Sequence, residues 1–184
     1  MTNIKIAFLG SVGSGKSSLI NRILTDKFSE DILSTVVVDL EIWHRINQSA
    51  VYFYDVGNAY SLDTLIDKTV NNANAYCVVF DINHYQSFKH AISLLETYTT
   101  RFPQSYFYLL ANKVDLGKPQ VDRDTIANVL IEKNLLEMVY VHFVSAKNPK
   151  YGNIRELMQY IMPQLEPDTV SEAPVDCCCP WLYF

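Results

Sequence analysis

The sequence predicts an α/β fold: a doubly wound, mostly parallel six-stranded sheet with one antiparallel strand and helices on both faces. Three observations predict it. A glycine-containing loop, Gly10 to Ser17, stands between an apolar run and a helical pattern; the polar triplet Asn47, Gln48, Ser49 separates two strand-like runs; and from Tyr76 onward strand and helix patterns alternate.

The apolar-rich run Ile4 to Leu9 reads as the first strand, and the residues from Ser17 to Leu24 as the first helix. A second strand, about Asp39 to Ile46, and a third, about Val51 to Tyr54, flank a polar turn of the kind that joins antiparallel neighbours, so they should form a hairpin. After a polar stretch from Asn58 to Asn74 come a strand (Tyr76 to Phe80), a helix (about Tyr85 to Arg101) and a strand (Tyr106 to Leu110). The next helix, about Asp122 to Lys133, carries Ile126, Val129 and Leu130 on one face. The strand Met138 to Val144 follows, and a last helix sets Ile154, Leu157, Met158 and Ile161 at helical spacing.

With 184 residues, 49% of them hydrophobic, the chain can build one core and is too short for two ordinary domains. The expected organisation is one domain over residues 1–165 and a flexible tail over 166–184, where Pro167 and Pro174 interrupt a segment without periodicity. A net charge of −5 supplies no general attraction for nucleic acid or an anionic membrane, and no nucleic-acid partner is expected. Cys77 lies in an apolar run while Cys177, Cys178 and Cys179 are adjacent, which is neither a disulfide framework nor a zinc site. His44, His84, His90 and His142 have no metal-like spacing. No apolar signal segment follows Met1 and no stretch is long enough to cross a bilayer, so a reducing, cytoplasmic setting is expected for the folded domain.

Gly10, Gly15, Lys16 and Ser17 satisfy the spacing G-x-x-x-x-G-K-[ST] in the strand-loop-helix context that the motif requires, the hallmark of a P-loop NTPase fold. Glycines let the backbone curl so that its N–H groups converge on phosphate oxygens at the positive end of the following helix. Lys16 adds a cation for the terminal phosphates, and Ser17 a hydroxyl for Mg²⁺, which takes oxygen ligands.

The base has to be read elsewhere. Asn112, Lys113, Val114 and Asp115 follow a strand at the carboxyl edge of the sheet, where open α/β folds bind ligands. An ionised Asp115 only accepts hydrogen bonds, and guanine offers two adjacent donors on one edge where adenine offers no such pair. Asp115 thus points to guanine, and Ser145, Ala146 and Lys147 follow the next strand.

On these residues, with Asp55 after a strand and the text Phe28 to Asp39 and Asp81 to Phe88, the chain resembles the Ras-superfamily small GTPases, most like the Rab branch, over about Asn3 to Leu165. The resemblance implies GTP or GDP with Mg²⁺ as cofactors. It implies a phosphate cradle of Gly13, Ser14, Gly15, Lys16, Ser17 and Ser18, with Phe28 flanking the nucleotide. Asn112 and Asp115 would hold the base, Lys113 would lie along it, and the Ala146 amide, between Ser145 and Lys147, would meet the guanine oxygen. Thr35 matches the switch residue that reaches Mg²⁺ and the γ-phosphate in the GTP state, and Asp55 the carboxylate that holds the metal through water. Effector, exchange-factor and GTPase-activating partners are implied at segments near 32–39 and 57–69.

The chain also departs from that pattern. Where the family reads D-x-x-G-Q, this sequence has Asp55, Val56, Gly57, Asn58, Ala59. Counting to Ala73 leaves no room for a gap, so by the resemblance Asn58 takes the glycine position, the more forgiving change although its side chain would crowd the γ-phosphate, and Ala59 takes that of the glutamine orienting the attacking water. Hydrolysis should be slow, since the reaction depends on positioning. Val12 narrows the space for an arginine finger, or merely packs over the loop. Val37 replaces a glycine, and the hairpin turn is short. The adjacent cysteines resemble the lipidated tails of Rab proteins; prenylation, palmitoylation and no lipid stay open, since Pro180 to Phe184 follow and the tail lacks Lys and Arg. The expected function is a membrane-traffic switch on the cytosolic face of an intracellular membrane; the alternative is a GTP-holding module without turnover. A nucleotide kinase is disfavoured by Asp115 and by the absence of a lid-like insertion.

Overall fold

A computed structural model of the chain describes residues 3–29, 38–45, 50–57 and 69–166. The sheet has six strands in the order β2-β3-β1-β4-β5-β6. They are β1 (Ile4–Leu9), β2 (Val38–Trp43), β3 (Val51–Val56), β4 (Ala75–Asp81), β5 (Tyr106–Asn112) and β6 (Val139–Val144). β2 runs antiparallel to β3, and every other pairing is parallel. The strand order reverses at β1, with β3 on one side and β4 on the other, which creates a crevice at the carboxyl edge where ligands of such sheets bind.

The described helices are α1 (Lys16–Thr25), α2 (Tyr85–Arg101), α3 (Arg123–Glu132) and α4 (Ile154–Leu165). They cover both faces because the central strands present apolar side chains in both directions, as in any sheet buried on two sides. Ala7, Leu9, Val78 and Phe80 pack with Phe88, Leu95, Ile126 and Leu130 of α2 and α3. On the other face, Ile6, Phe8, Cys77 and Val79 pack with Leu19 and Ile23 of α1 and with Leu157, Met158 and Ile161 of α4. Burial in this second core pushes the Cys77 thiol up, so it stays protonated and inert.

Some boundaries differ from expectation. β2 ends at Trp43, which pairs with Val51, the first residue of β3; Ile46, the expected last residue of this strand, lies outside the described residues. β5 continues past Leu110 to Asn112, which pairs with Asp81 on one side and Val144 on the other. The polar Asn112 is therefore part of the strand, and its buried side chain is held rigidly at the crevice.

Candidate functional site

The loop from Gly10 to Gly15 leaves β1 and enters α1 at Lys16. Gly15 has φ +96°, and a Cβ there would stand 2.3 Å from the Asn112 amide nitrogen; at Gly10, φ +137°, a Cβ would meet the Val79 carbonyl oxygen at 2.1 Å. Only glycine fits either position. The first turn of α1 offers amides without intrahelical acceptors, together with the positive end of the helix dipole.

Lys16 is buried, and its ammonium donates to the carbonyls of Gly10 at 2.9 Å and Ser11 at 3.1 Å. Two of its three donors thus close the loop, which leaves one for an anion. Burial pushes the Lys16 ammonium down and the Asp55 carboxylate draws it partly back up. The hydroxyl of Ser14 is buried without a hydrogen-bond partner among the described residues, as expected of a polar group awaiting a ligand.

Asp55, buried at the end of β3, accepts a hydrogen bond from the Ser17 hydroxyl. This all-oxygen pair suits a hard divalent cation that takes its other ligands from phosphate and water. Among the described residues no cluster of three His, Cys, Asp or Glu side chains could hold a metal unaided. Ser17 and Asp55 would hold Mg²⁺, which supplies charge neutralisation on the phosphates when bound. Thr35, Asn58 and Ala59 lie outside the described residues, as do Val37 and the Asn47 to Ser49 turn.

At the other end of the crevice Asn112 links two loops. Its Nδ2 donates to the Ser14 carbonyl at 2.8 Å, and its Oδ1 accepts from the Ala146 amide at 3.4 Å. The second bond is long enough to yield easily to a better acceptor. The Ser145 hydroxyl donates to Asp115 at 2.6 Å while accepting from the Asn148 amide at 2.8 Å, so the carboxylate is oriented from below. Lys147 sets its ammonium 5.8 Å from the Phe28 ring centre. Among the described sequence-predicted residues, contacts link Lys16 to the loop carbonyls, Ser17 to Asp55, Ser14 and Ala146 to Asn112, Ser145 to Asp115 and Lys147 to Phe28; Gly13 and Gly15 lie in the same loop, Ser18 in the first turn of α1 and Lys113 directly after β5.

Two participants were not expected. Asp81, the last residue of β4, pairs with the Lys113 ammonium at 2.8 Å, and Asn83 donates to the Lys113 carbonyl at 3.1 Å. Burial pushes the Asp81 carboxyl up, but the Lys113 and Asn83 hydrogen bonds outweigh it and hold the group below the usual carboxylate range. These contacts fix Lys113, whose φ of +67° is left-handed. The sequence offered one signal: an aspartate ending an otherwise apolar strand.

A crevice with an anion cradle at one end and an oriented carboxylate at the other belongs to the phosphate-loop nucleotide-binding proteins. The Ras family model matches residues 5–166, and the chain belongs to that family. Curated proteins that it resembles include Rab proteins. It is 28% identical to Ras-related protein Rab-18-B of Danio rerio over 130 residues, 67% of this chain and 63% of that protein. It is 29% identical to RABG3b of Arabidopsis thaliana over 134 residues, 62% of this chain and 61% of the relative. It is 25% identical to Ras-related protein Rab-1 of Theileria parva over 175 residues, 92% and 77% of the two chains. The matches to the Rab-18 and RABG3b proteins thus span somewhat under two thirds of those relatives.

Proposed function

We propose that this Rab-like protein is a guanine-nucleotide-dependent switch of intracellular membrane traffic that hydrolyses GTP slowly. The observation that carries the reading is the Asn112 side chain, which ties the Ser14 carbonyl to the Ala146 amide and so couples the two ends of the crevice. Phosphates lie on the loop from Gly13 to Ser18, with Lys16 over the terminal groups and Ser17, Thr35 and Asp55 around Mg²⁺. Guanine lies between Lys113 and the Phe28 side, its two donors on Asp115 and its oxygen at the Ala146 amide. Adenine there leaves buried polar groups mismatched, which is the strong form of discrimination.

Slow hydrolysis follows from Ala59, which lacks the amide that orients the attacking water, and from Asn58 beside it. The order of the segments around 32–39 and 57–69 reports the nucleotide to effectors, exchange factors and activating proteins. The exposed Leu40 and Ile42 on the edge strand β2 are an apolar surface suited to such partners. If Cys177, Cys178 or Cys179, which lie outside the described residues, is prenylated or palmitoylated, membrane attachment runs through that lipid; an unmodified mass of the intact protein rules it out. No described helix is long and apolar enough to cross a membrane.

A second reading, a GTP-holding module without turnover, is favoured by Val12, which is 58% exposed on the phosphate loop where an activating arginine has to enter. Denaturing the purified protein and identifying the released nucleotide tests the pair together with single-turnover hydrolysis. Bound guanine nucleotide with slow, measurable hydrolysis supports the switch. GTP with no turnover supports the module, and turnover at the rate of an ordinary Rab refutes both.

A further inference from the structure

We propose that Arg22 is a positioning residue for base recognition: its guanidinium holds the Ser145–Lys147 loop and the turn leading to Phe28 in the geometry that reads the purine. The inference rests on the placement of the base proposed above.

Arg22 lies on the buried side of α1, one turn beyond Leu19 and beside Ile23. Its Nε donates to the Ala146 carbonyl at 2.8 Å and its Nη2 to the Lys147 carbonyl at 3.0 Å, two consecutive peptides more than a hundred residues away in sequence. Its Nη1 donates to the Asp26 carbonyl at 2.7 Å. Asp26 caps α1 in the left-handed conformation and sits two residues before Phe28, while its carboxylate reaches Arg155 of α4 at 3.1 Å. One planar fork thus fixes both protein segments that flank the base.

The geometry explains why this residue is arginine. Three backbone carbonyls, one each on Nε, Nη1 and Nη2, suit the guanidinium fork, whereas a lysine ammonium is a single point that cannot span them. A carbonyl held from behind fixes its peptide plane. The Ala146 N–H, the donor to the guanine oxygen, lies in the adjoining Ser145–Ala146 peptide, so the held Ala146 and Lys147 carbonyls set its direction through the Ala146 Cα. Arg22 is six residues from Lys16, about 9 Å along the helix. The same short helix that starts at the phosphates therefore anchors the base loop, and registers one against the other.

The claim separates base reading from phosphate binding. Arg22→Lys and Arg22→Gln should leave phosphate contacts in place and loosen the base loop. The expected result is GDP release faster by on the order of tenfold, with the GDP-to-ADP affinity ratio reduced about as much. A merely structural role lowers affinity for both nucleotides together and leaves the ratio unchanged.

Full-length wild type and both variants are titrated with GDP and ADP in excess Mg²⁺, with thermal denaturation of each. A reduced ratio in Arg22→Lys, the milder change and the one that decides if Arg22→Gln does not fold, supports the inference. A wild-type guanine preference retained in full by a folded variant overturns it while leaving the base assignment standing. A wild type without guanine preference overturns the base assignment, and this inference with it.

Discussion

Replacing Gly15 by alanine tests the architecture of the crevice. The new Cβ stands 2.3 Å from Nδ2 of Asn112, at a backbone φ of +96°. A left-handed alanine costs about 1–2 kcal/mol. Moving Asn112 aside breaks its 2.8 Å bond to Ser14 and its contact with Ala146. Leaving such buried groups unpaired costs about 1–3 kcal/mol more. An empty loop can relax away from both strains, but bound nucleotide has to restore the observed shape, so the cost falls on affinity. GDP affinity should drop by roughly two orders of magnitude, read by calorimetry in Mg²⁺. Gly13 is the control: φ is +75°, but a Cβ there meets nothing within 4 Å. Gly13→Ala should lose only about tenfold, from backbone strain alone. A Gly15→Ala protein whose loss of GDP affinity is no greater than that of Gly13→Ala refutes the coupling through Asn112.

Ser17→Ala removes one of two described oxygen donors for the cation and should weaken the Mg²⁺ affinity of the GDP complex at least about tenfold. GDP release measured against free Mg²⁺ checks this, and an unchanged dependence counts against the site. Restoring the family pattern with Asn58→Gly and Ala59→Gln should accelerate single-turnover GTP hydrolysis by on the order of 10-fold to 100-fold. No acceleration refutes the proposal that Asn58 and Ala59 make hydrolysis slow. His142, whose Nε2 is buried without a hydrogen-bond partner among the described residues, has its pKa pushed down by burial to about 4. The unfolded chain therefore takes up this proton first as pH falls. The resulting stability is full above pH 6.5 and is lost between there and about pH 4, up to about 3 kcal/mol. Denaturant titrations at pH 7 and pH 4.5 should show a smaller acid loss for His142→Gln than for wild type, and equal losses contradict the assignment.

The sheet was legible because its central strands are apolar-rich runs and its helices carry apolar residues at helical spacing. β1 and α2 fall where periodicity puts them. β5 was read two residues short because Asn112 looks like loop chemistry, and only its pairing with Asp81 and Val144 makes it strand. The phosphate loop was legible since its spacing is local. The link between Ser14 and Asn112 was not, because it spans 98 residues and no periodicity reports it. Arg22 was hidden for a different reason. An arginine inside a helix ordinarily reads as a solvated partner of the residue four positions on, and here Asp26 invites that reading. Its position among Leu19, Ile20 and Ile23 on the buried face was the available clue.

Guanine selectivity is the property from which the rest follows, and it can be measured on the intact protein. Nucleotide-free, Mg²⁺-supplemented protein is titrated in a calorimeter with GDP, GTP, ADP and ATP. The oriented Asp115 carboxylate and the Ala146 amide predict that both guanine nucleotides bind at least about a thousandfold more tightly than their adenine counterparts, as a site built to hydrogen-bond one substrate rejects a mismatched one. Equal affinities would contradict the account.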